Sequence, residues 1–408
     1  MTVAFFVDQI FWRDEQGISS DEAYTLFPMS LQQHFDEVVL LGRLAPEVGR
    51  RPYALPDSGV RLCPLPYYSS VFASWREGGA LRRAIDDLVE REAPQWDLLF
   101  VCGPNPVGQM IAEAVIRQGK PVVLLVRQNL IQQIYHGNRG LRRWIGVAVA
   151  GWLEWRFRRL ARGRVVFAVG EEMTAAYRRV AATAHNHFAS LITEEQMAAL
   201  VGTTGPAAVV STEPEPPRLL FVGRLSPEKG ISHLLGALVR LRDQGHVIQL
   251  DIVGSGRSAE ELQAEVKALG LTEQVTFHGY VAHGEPLLAY YRRATAFVAP
   301  SLQGEGFPQV INEALAAGIP VIASAVGGIP AYLHHGTTGL LVPPGDRIAL
   351  SEAIAALLED AVLRQRLARQ GQALMRNNTL EANRDRIVAV VKREVFHELE
   401  SAPSVGTL

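Results

Sequence analysis

The chain has 408 residues, 48% of them hydrophobic and 8% aromatic, with a formal net charge of −2. That length exceeds what one core usually serves, and the composition excludes a disordered chain, so two globular domains are expected. The charge balance excludes general nucleic-acid binding through a global basic excess, and two cysteines, Cys63 and Cys102, offer neither a disulfide framework nor a metal cluster, as expected of a reducing cytoplasm.

The N-terminal run Met1-Thr-Val-Ala-Phe-Phe-Val-Asp8 lacks a basic start and is too short for a signal peptide, so Val3 to Val7 reads as a first strand. No stretch of about 20 apolar residues occurs, and no membrane-spanning helix is predicted. Strands then alternate with helices, which implies parallel sheets covered on both faces. In the first half the predicted strands are Glu37–Gly42, Asp97–Cys102, Pro121–Arg127 and Arg164–Val169. The predicted helices are Ala80–Glu92, Gly108–Gln118 and Leu141–Ala161.

Three features of this half bear on ligands. The loop expected from Asp8 to Ser20 carries a single glycine, Gly17. Arg127 ends a strand where open α/β sheets bind ligands, and contact with a donor, contact with an acidic acceptor and simple pairing with a carboxylate all stay open. His136, His185 and His187 are candidate bases, although most histidines are neither ligands nor bases.

From Arg139 to Arg164 there are eight arginines, one acid (Glu154), and Trp144, Trp152 and Trp155 around an apolar middle, Ile145–Ala150. Such a helix suits an anionic membrane surface, and equally an ordinary helix whose tryptophans are core. The aromatic stretch Tyr67–Trp75 would line an acceptor groove or dip into lipid. The only long run rich in Pro, Gly, Ser and Thr is Val201–Pro217. It places a linker at 206–217 between an N-terminal domain, 1–205, and a C-terminal one, 218–379.

The second half opens with Arg218-Leu-Leu-Phe-Val-Gly-Arg-Leu-Ser-Pro-Glu-Lys-Gly230, a buried strand running into a glycine turn. Gly223 permits close backbone approach, Arg224 can fork donors onto phosphate oxygens, and Lys229 adds a mobile charge. Ser226 would cap a helix with Pro227 at its first position. Leu250-Asp-Ile-Val-Gly-Ser-Gly256 is another strand and turn, with Gly254 at its corner. The strand Ala296–Ala299 then leads through Glu305, Gly306, Phe307 and Pro308 into a helix that Gly318 stops before Pro320 opens the next strand. Pro308 fits the first turn, and Glu313 falls about 7 Å along the axis at 1.5 Å per residue. Positive charges in one strand-to-helix turn and carboxylates in another match a nucleotide sugar, which carries a diphosphate and pairs of hydroxyls.

The segments Phe221–Gly230, Val253–Gly256, Val275–Gly279, Pro300–Gly318 and Val326–Asp346 together resemble the nucleotide-binding domain of the retaining GT-B glycosyltransferases of group 1, the GT4 family. The resemblance implies an α/β GT-B fold of two Rossmann-like doubly wound domains facing an interdomain cleft, with a final helix, here 380–398, packed back on the first domain. It implies that Arg224 and Lys229 hold the diphosphate, that Glu305 and the N–H groups after it meet the donor sugar, and that Glu313 binds the ribose. The family commonly shows Gly-Phe-Gly where this chain has Gly306-Phe307-Pro308, and proline removes one donor.

The implied reaction is transfer of a hexose from a UDP- or GDP-sugar to a glycan or lipid-linked acceptor with retention, in the cytoplasm or on the inner face of the membrane. No cofactor is implied. No Asp-x-Asp motif occurs, so Arg224, Lys229 and a helix N-terminus, rather than a metal, would stabilise the leaving diphosphate, and Glu305 would orient the sugar. A nucleotide-binding protein that has lost transfer, a sugar-nucleotide epimerase and a phosphorylase remain as alternatives.

Overall fold

Buried apolar strands and one-sided helices build two parallel sheets, one in each half of the chain. The computed structural model describes residues 1–68, 78–127, 130–137, 140–188, 190–203, 216–282, 284–303 and 308–396. The chain divides into one unit of Met1–Leu191 together with the segment from Leu380 onward, and a second unit of Ile192–Thr379.

The first unit contains β1 (Thr2–Asp14), β2 (Gly17–Ser20), β3 (Glu37–Leu44), β4 (Tyr53–Ala54), β5 (Val60–Leu65), β6 (Leu98–Gly103), β7 (Val122–Val126), β8 (Val165–Ala168) and β9 (Thr183–Asn186). Its parallel path runs β5-β3-β1-β6-β7-β8-β9, so the strand order reverses between β1 and β6. Successive strand residues point to opposite faces. Phe6, Leu99, Val101 and Leu124 pack on one side, and Phe5, Phe100, Val123 and Leu125 on the other. The second of these cores also holds Ile387 and Val388 of the helix Leu380–Val391 and Val395 of the turn Lys392–Phe396 that follows it.

One departure from expectation lies at the start. Residues 8–20 are not a loop: β1 continues to Asp14 and folds back antiparallel along β2, with Asp14 opposite Gly17. Side chains of the extension alternate between buried and accessible, and Phe11 is wholly buried. The period-two pattern is hidden in the sequence because one of the buried positions, Gln9, is polar. Gly17, at a φ of 122°, stands at the exposed turn of this hairpin.

The second unit contains β10 (Arg218–Val222), β11 (Gln249–Val253), β12 (Val275–Gly279), β13 (Ala296–Ala299), β14 (Val321–Ser324) and β15 (Leu340–Val342) in the order β12-β11-β10-β13-β14-β15, all parallel. This is the doubly wound order of dinucleotide-binding sheets, with its switch point between β10 and β13. The unit begins at Ile192 and not after 205, because the helix Glu194–Thr203 packs on the helices Glu285–Arg293 and Gln309–Ala316. The expected linker, 206–217, lies outside the described residues as far as 215.

Candidate functional site

At the switch point of the second unit, two turns that the sequence singled out meet through backbone. The chain leaves β10 at Gly223 and makes one 3-10 turn, Pro227–Lys229; it then passes through a left-handed Gly230 (φ 70°, ψ 21°) and opens the helix Ile231–Asp243. A side chain at Gly230 would overlap the carbonyl oxygen of Pro300, in the turn after β13. That close approach lets the Leu302 N–H donate to the Glu228 carbonyl at 2.8 Å. The turn bearing Arg224 and Lys229 is thereby fastened to the turn leading to Glu305.

Ser226 is the N-cap residue of the 3-10 turn Pro227–Lys229, with Pro227 at its first position as the sequence suggests, but its side chain makes no capping bond. Its hydroxyl donates instead to Glu228 Oε1 at 2.6 Å, and the long helix begins only after Gly230. Burial works to raise the Glu228 carboxyl, but the bond from Ser226, its own N–H, Arg257 at 3.6 Å and Arg224 together hold it below the usual carboxylate range. Arg224 is exposed and Lys229 half-buried. The surface is thus a basic rim around one ionised carboxylate that orders the turn.

Gly223 and Gly254 have a role the sequence did not assign. Their turns close adjacent strands, β10 and β11, and a side chain at Gly254 (φ 140°) would collide with the Gly223 carbonyl oxygen. Gly223 N–H donates to Val253 O at 3.0 Å and Leu225 N–H to Ser255 O at 2.9 Å. Gly254 therefore serves the contact of one turn with the other.

Glu305, Gly306 and Phe307 lie outside the described residues. Pro308 is the N-cap residue of the helix Gln309–Ala316, one position earlier than expected, with extended backbone at φ −66° and ψ 131°. Glu313 is the fifth residue of that helix and is only 5% exposed. The phenol of Tyr291, itself fully buried, donates to Glu313 Oε2 at 2.7 Å. Burial first, and then the Glu313 charge, drives the Tyr291 phenol well above its ordinary range, so it stays a donor. Gly318 ends the helix as expected: its φ is 69°, its N–H bonds Leu315 O, and the Ile319 N–H bonds Ala314 O.

A second polar cluster lies at the switch point of the first unit, and the sequence reading missed it. Asp8 accepts from Tyr68 OH at 2.8 Å and from Asn105 Nδ2 at 2.9 Å, and Arg43 Nη2 stands 3.1 Å away. Asn105 also caps the helix Pro106–Arg117, accepting from Val107 and Gly108. An Asn-Pro pair opening a helix was the available signal. Arg127 follows β7, and its guanidinium lies 3.5 Å from the centre of the Tyr24 ring, with Nε buried and without a hydrogen-bond partner among the described residues. Nearby, burial raises the Glu22 carboxyl, against a 3.0 Å bond from Gln9 Nε2 and the Arg127 charge.

The histidines divide. His187 is buried, and burial, with Arg127 and Arg386, lowers it to about 3, which makes it a poor base. His185 Nε2 is 2.9 Å from Glu394 on the C-terminal turn. The side chain of His136 and the segment 69–77, with most of the Tyr67–Trp75 stretch, lie outside the described residues.

Residues 208–374 match the family described as "Glycosyl transferases group 1". The chain is 41% identical over 159 residues to the phosphatidyl-myo-inositol mannosyltransferase of Mycobacterium leprae (strain TN), a match covering 39% of this chain and 41% of that protein. It therefore spans about two-fifths of the length of that relative. Over nearly the whole chain the fold is similar to a sucrose-phosphate synthase from Thermosynechococcus elongatus, with a TM-score of 0.71 at 20% identity, covering 98% of this chain and 100% of the other. It is also similar to Anabaena HepE solved in complex with UDP, with a TM-score of 0.67 at 19% identity, covering 96% and 100%. The fold is GT-B, with a parallel α/β sheet in each of two domains.

Proposed function

We propose that the protein is a retaining glycosyltransferase that moves a hexose from a UDP- or GDP-sugar to a glycan or lipid-linked acceptor. One observation carries the reading. The Arg224–Lys229 turn and the turn that leads to Glu313 flank one switch point, and the Leu302–Glu228 bond joins them. The family match over 208–374 and the UDP held by a protein of the same fold support the donor class. The mannosyltransferase relative supports the acceptor class.

In this reading Arg224 and Lys229 hold the diphosphate and stabilise the charge that grows on it as it leaves. Glu313, steadied by Tyr291, accepts from the ribose hydroxyls. Glu305, with Gly306 and Phe307, meets the hexose, and Pro308 supplies no N–H there. The diphosphate accepts the proton of the attacking hydroxyl on the same face of the sugar. Gly223 and Gly254 hold the donor turns in place, and Arg127 belongs to the acceptor side. No metal or other cofactor takes part, because the two cations do the work a divalent ion would do. The free thiols Cys63 and Cys102 support a cytoplasmic place of work.

The test is release of nucleoside diphosphate from UDP- and GDP-hexoses, with and without acceptors and with and without a chelator. Acceptor-dependent release that survives chelation, and a product that keeps the donor's anomeric configuration, are expected. Nucleotide binding without release from any donor would leave a binding protein that has lost transfer. Abolition by the chelator would overturn the metal-free mechanism.

A further inference from the structure

The helix Gly140–Leu160 carries an apolar face that is left exposed among the described residues. Leu141 is 75% exposed, Trp144 61%, Ile145 57%, Trp152 46% and Trp155 54%. With the exposed Ala148 and Arg159 these residues recur at steps of three and four, and at about 100° per residue they share one arc of roughly 100°. The opposite side, Ala150, Leu153 and Phe157, is buried in the first unit. Tyr135, on the preceding helix Leu130–Gly137, meets Trp144 edge-on with ring centres 6.0 Å apart and widens the patch. Both readings of the tryptophans left open by the sequence can now be judged: they are not core.

Charge decides what covers this face. The Arg156 guanidinium lies 5.1 Å from the Trp152 ring and that of Arg159 5.1 Å from the Trp155 ring, while Arg162 is exposed just past the helix end. The helix's single acid is turned inward, where Glu154 accepts from Arg158 Nε at 2.9 Å and from Tyr177 OH at 3.0 Å. The stripe therefore has tryptophans along it, arginines at its margin and no carboxylate on it. Aromatic rings seated at the headgroup level, with cations reaching phosphates, are the mode of an interfacial helix. A second copy of this chain fits poorly. Both ends of the helix are basic by sequence, Arg142 and Arg143 at one and Arg158, Arg159 and Arg162 at the other, so a two-fold pairing would set cation against cation. Among the described residues no helix is long and apolar enough to cross a membrane.

We propose that the exposed face of Gly140–Leu160 docks the protein on an anionic lipid bilayer, the helix lying in the interface with Trp144, Ile145, Trp152 and Trp155 inserted. The proposal does not depend on the reaction proposed above, and its test reads no activity. Full-length protein is sedimented with vesicles of phosphatidylcholine alone and with vesicles also containing phosphatidylglycerol, at low and high salt. Light scattering of the protein alone gives its mass. Binding to the anionic vesicles, with a blue shift of tryptophan emission, is expected. Trp144→Gln with Trp155→Gln should weaken it by at least about tenfold, and Arg159→Gln with Arg162→Gln should weaken it mainly at low salt. These side chains are exposed, so the variants should keep the wild-type circular dichroism; should the Trp pair lose it, Ile145→Ser alone gives the same comparison. Absence of binding to either vesicle, or equal binding by folded wild type and Trp variant, overturns the proposal. A dimer of the wild type that becomes monomeric in the Trp variant, with vesicle binding unchanged, assigns the face to a second copy instead.

Discussion

Glu313 shows how far a residue's surroundings decide its use. A carboxylate on the second turn of a helix would ordinarily face water. Here it is buried, and Tyr291 fixes one of its oxygens. Loss of a charge-assisted hydrogen bond to a ligand costs about 1.5–3 kcal/mol, roughly 10- to 150-fold in affinity. Calorimetry of Glu313→Ala, Arg224→Ala and Lys229→Ala with UDP and GDP should show losses in that range, and wild-type affinity in all three folded variants would remove the assignment. Tyr291→Phe should weaken nucleotide binding by a smaller factor, since the carboxylate stays but loses its anchor. Glu305→Gln should behave differently, with kcat strongly lowered and nucleoside diphosphate affinity nearly unchanged, because the hexose and not the nucleotide changes charge in the transition state.

At the scale of elements, the sequence read well wherever periodicity and punctuation agreed. The strand Ala296–Ala299 and the stop at Gly318 were legible because a short apolar run and a left-handed glycine each have one common meaning. The hairpin after β1 was not, because Gln9 is a buried polar residue, bonded to Glu22 and Thr25, and breaks the apparent alternation. Nor was the Asp8 cluster, whose members Arg43, Tyr68 and Asn105 come together only through the strand order. The glycine turns were legible as turns, yet their role in packing on one another was not, since it depends on β10 and β11 being neighbours. This last role predicts a cost. Gly254→Ala must move the Gly223 turn or strain its own backbone, at about 1–3 kcal/mol, and a thermal melt should show it. Nucleotide affinity should fall with it, because the displaced turn bears Arg224. A variant with unchanged Tm and affinity would show that the two turns are not coupled. The neighbouring Asp251 makes the same point about strand order. It is buried against Arg218, His278 and Arg293, which are themselves partly exposed, and Asp251→Ala should destabilise the protein by about 1–3 kcal/mol through the hydrogen bonds it removes.

Within the first unit, the turn Lys392–Phe396 is held to the sheet by side-chain bonds. Glu394, near the chain's end, accepts from Arg393, from Thr183 Oγ1 at 2.6 Å and from His185 at 2.9 Å, tying the turn Lys392–Phe396 to β9. Burial opposes ionisation of Glu394, but these bonds outweigh it and lower the carboxyl to about 2 from an ordinary 4.5. His187, in the same unit, is lowered to about 3 from 6.5, chiefly by burial. Both groups bind protons more readily when the chain is unfolded, so stability must rise with pH across their windows. The contribution of His187 is present above about pH 6.5 and is lost as pH falls towards 3; that of Glu394 is present above about 4.5 and is lost towards 2. All six tryptophans lie before residue 192, so their emission reports the first unit alone. Melts followed by that emission should lose Tm steadily from pH 7 to 4.5 in the wild type. In His187→Asn, whose amide cannot take up a proton, the profile over that range should flatten whatever its absolute Tm. Glu394→Gln should keep the wild-type slope there and lessen the further fall below pH 4.5. If His187→Asn and the wild type have parallel slopes, the buried imidazole is not what makes the first unit sensitive to acid.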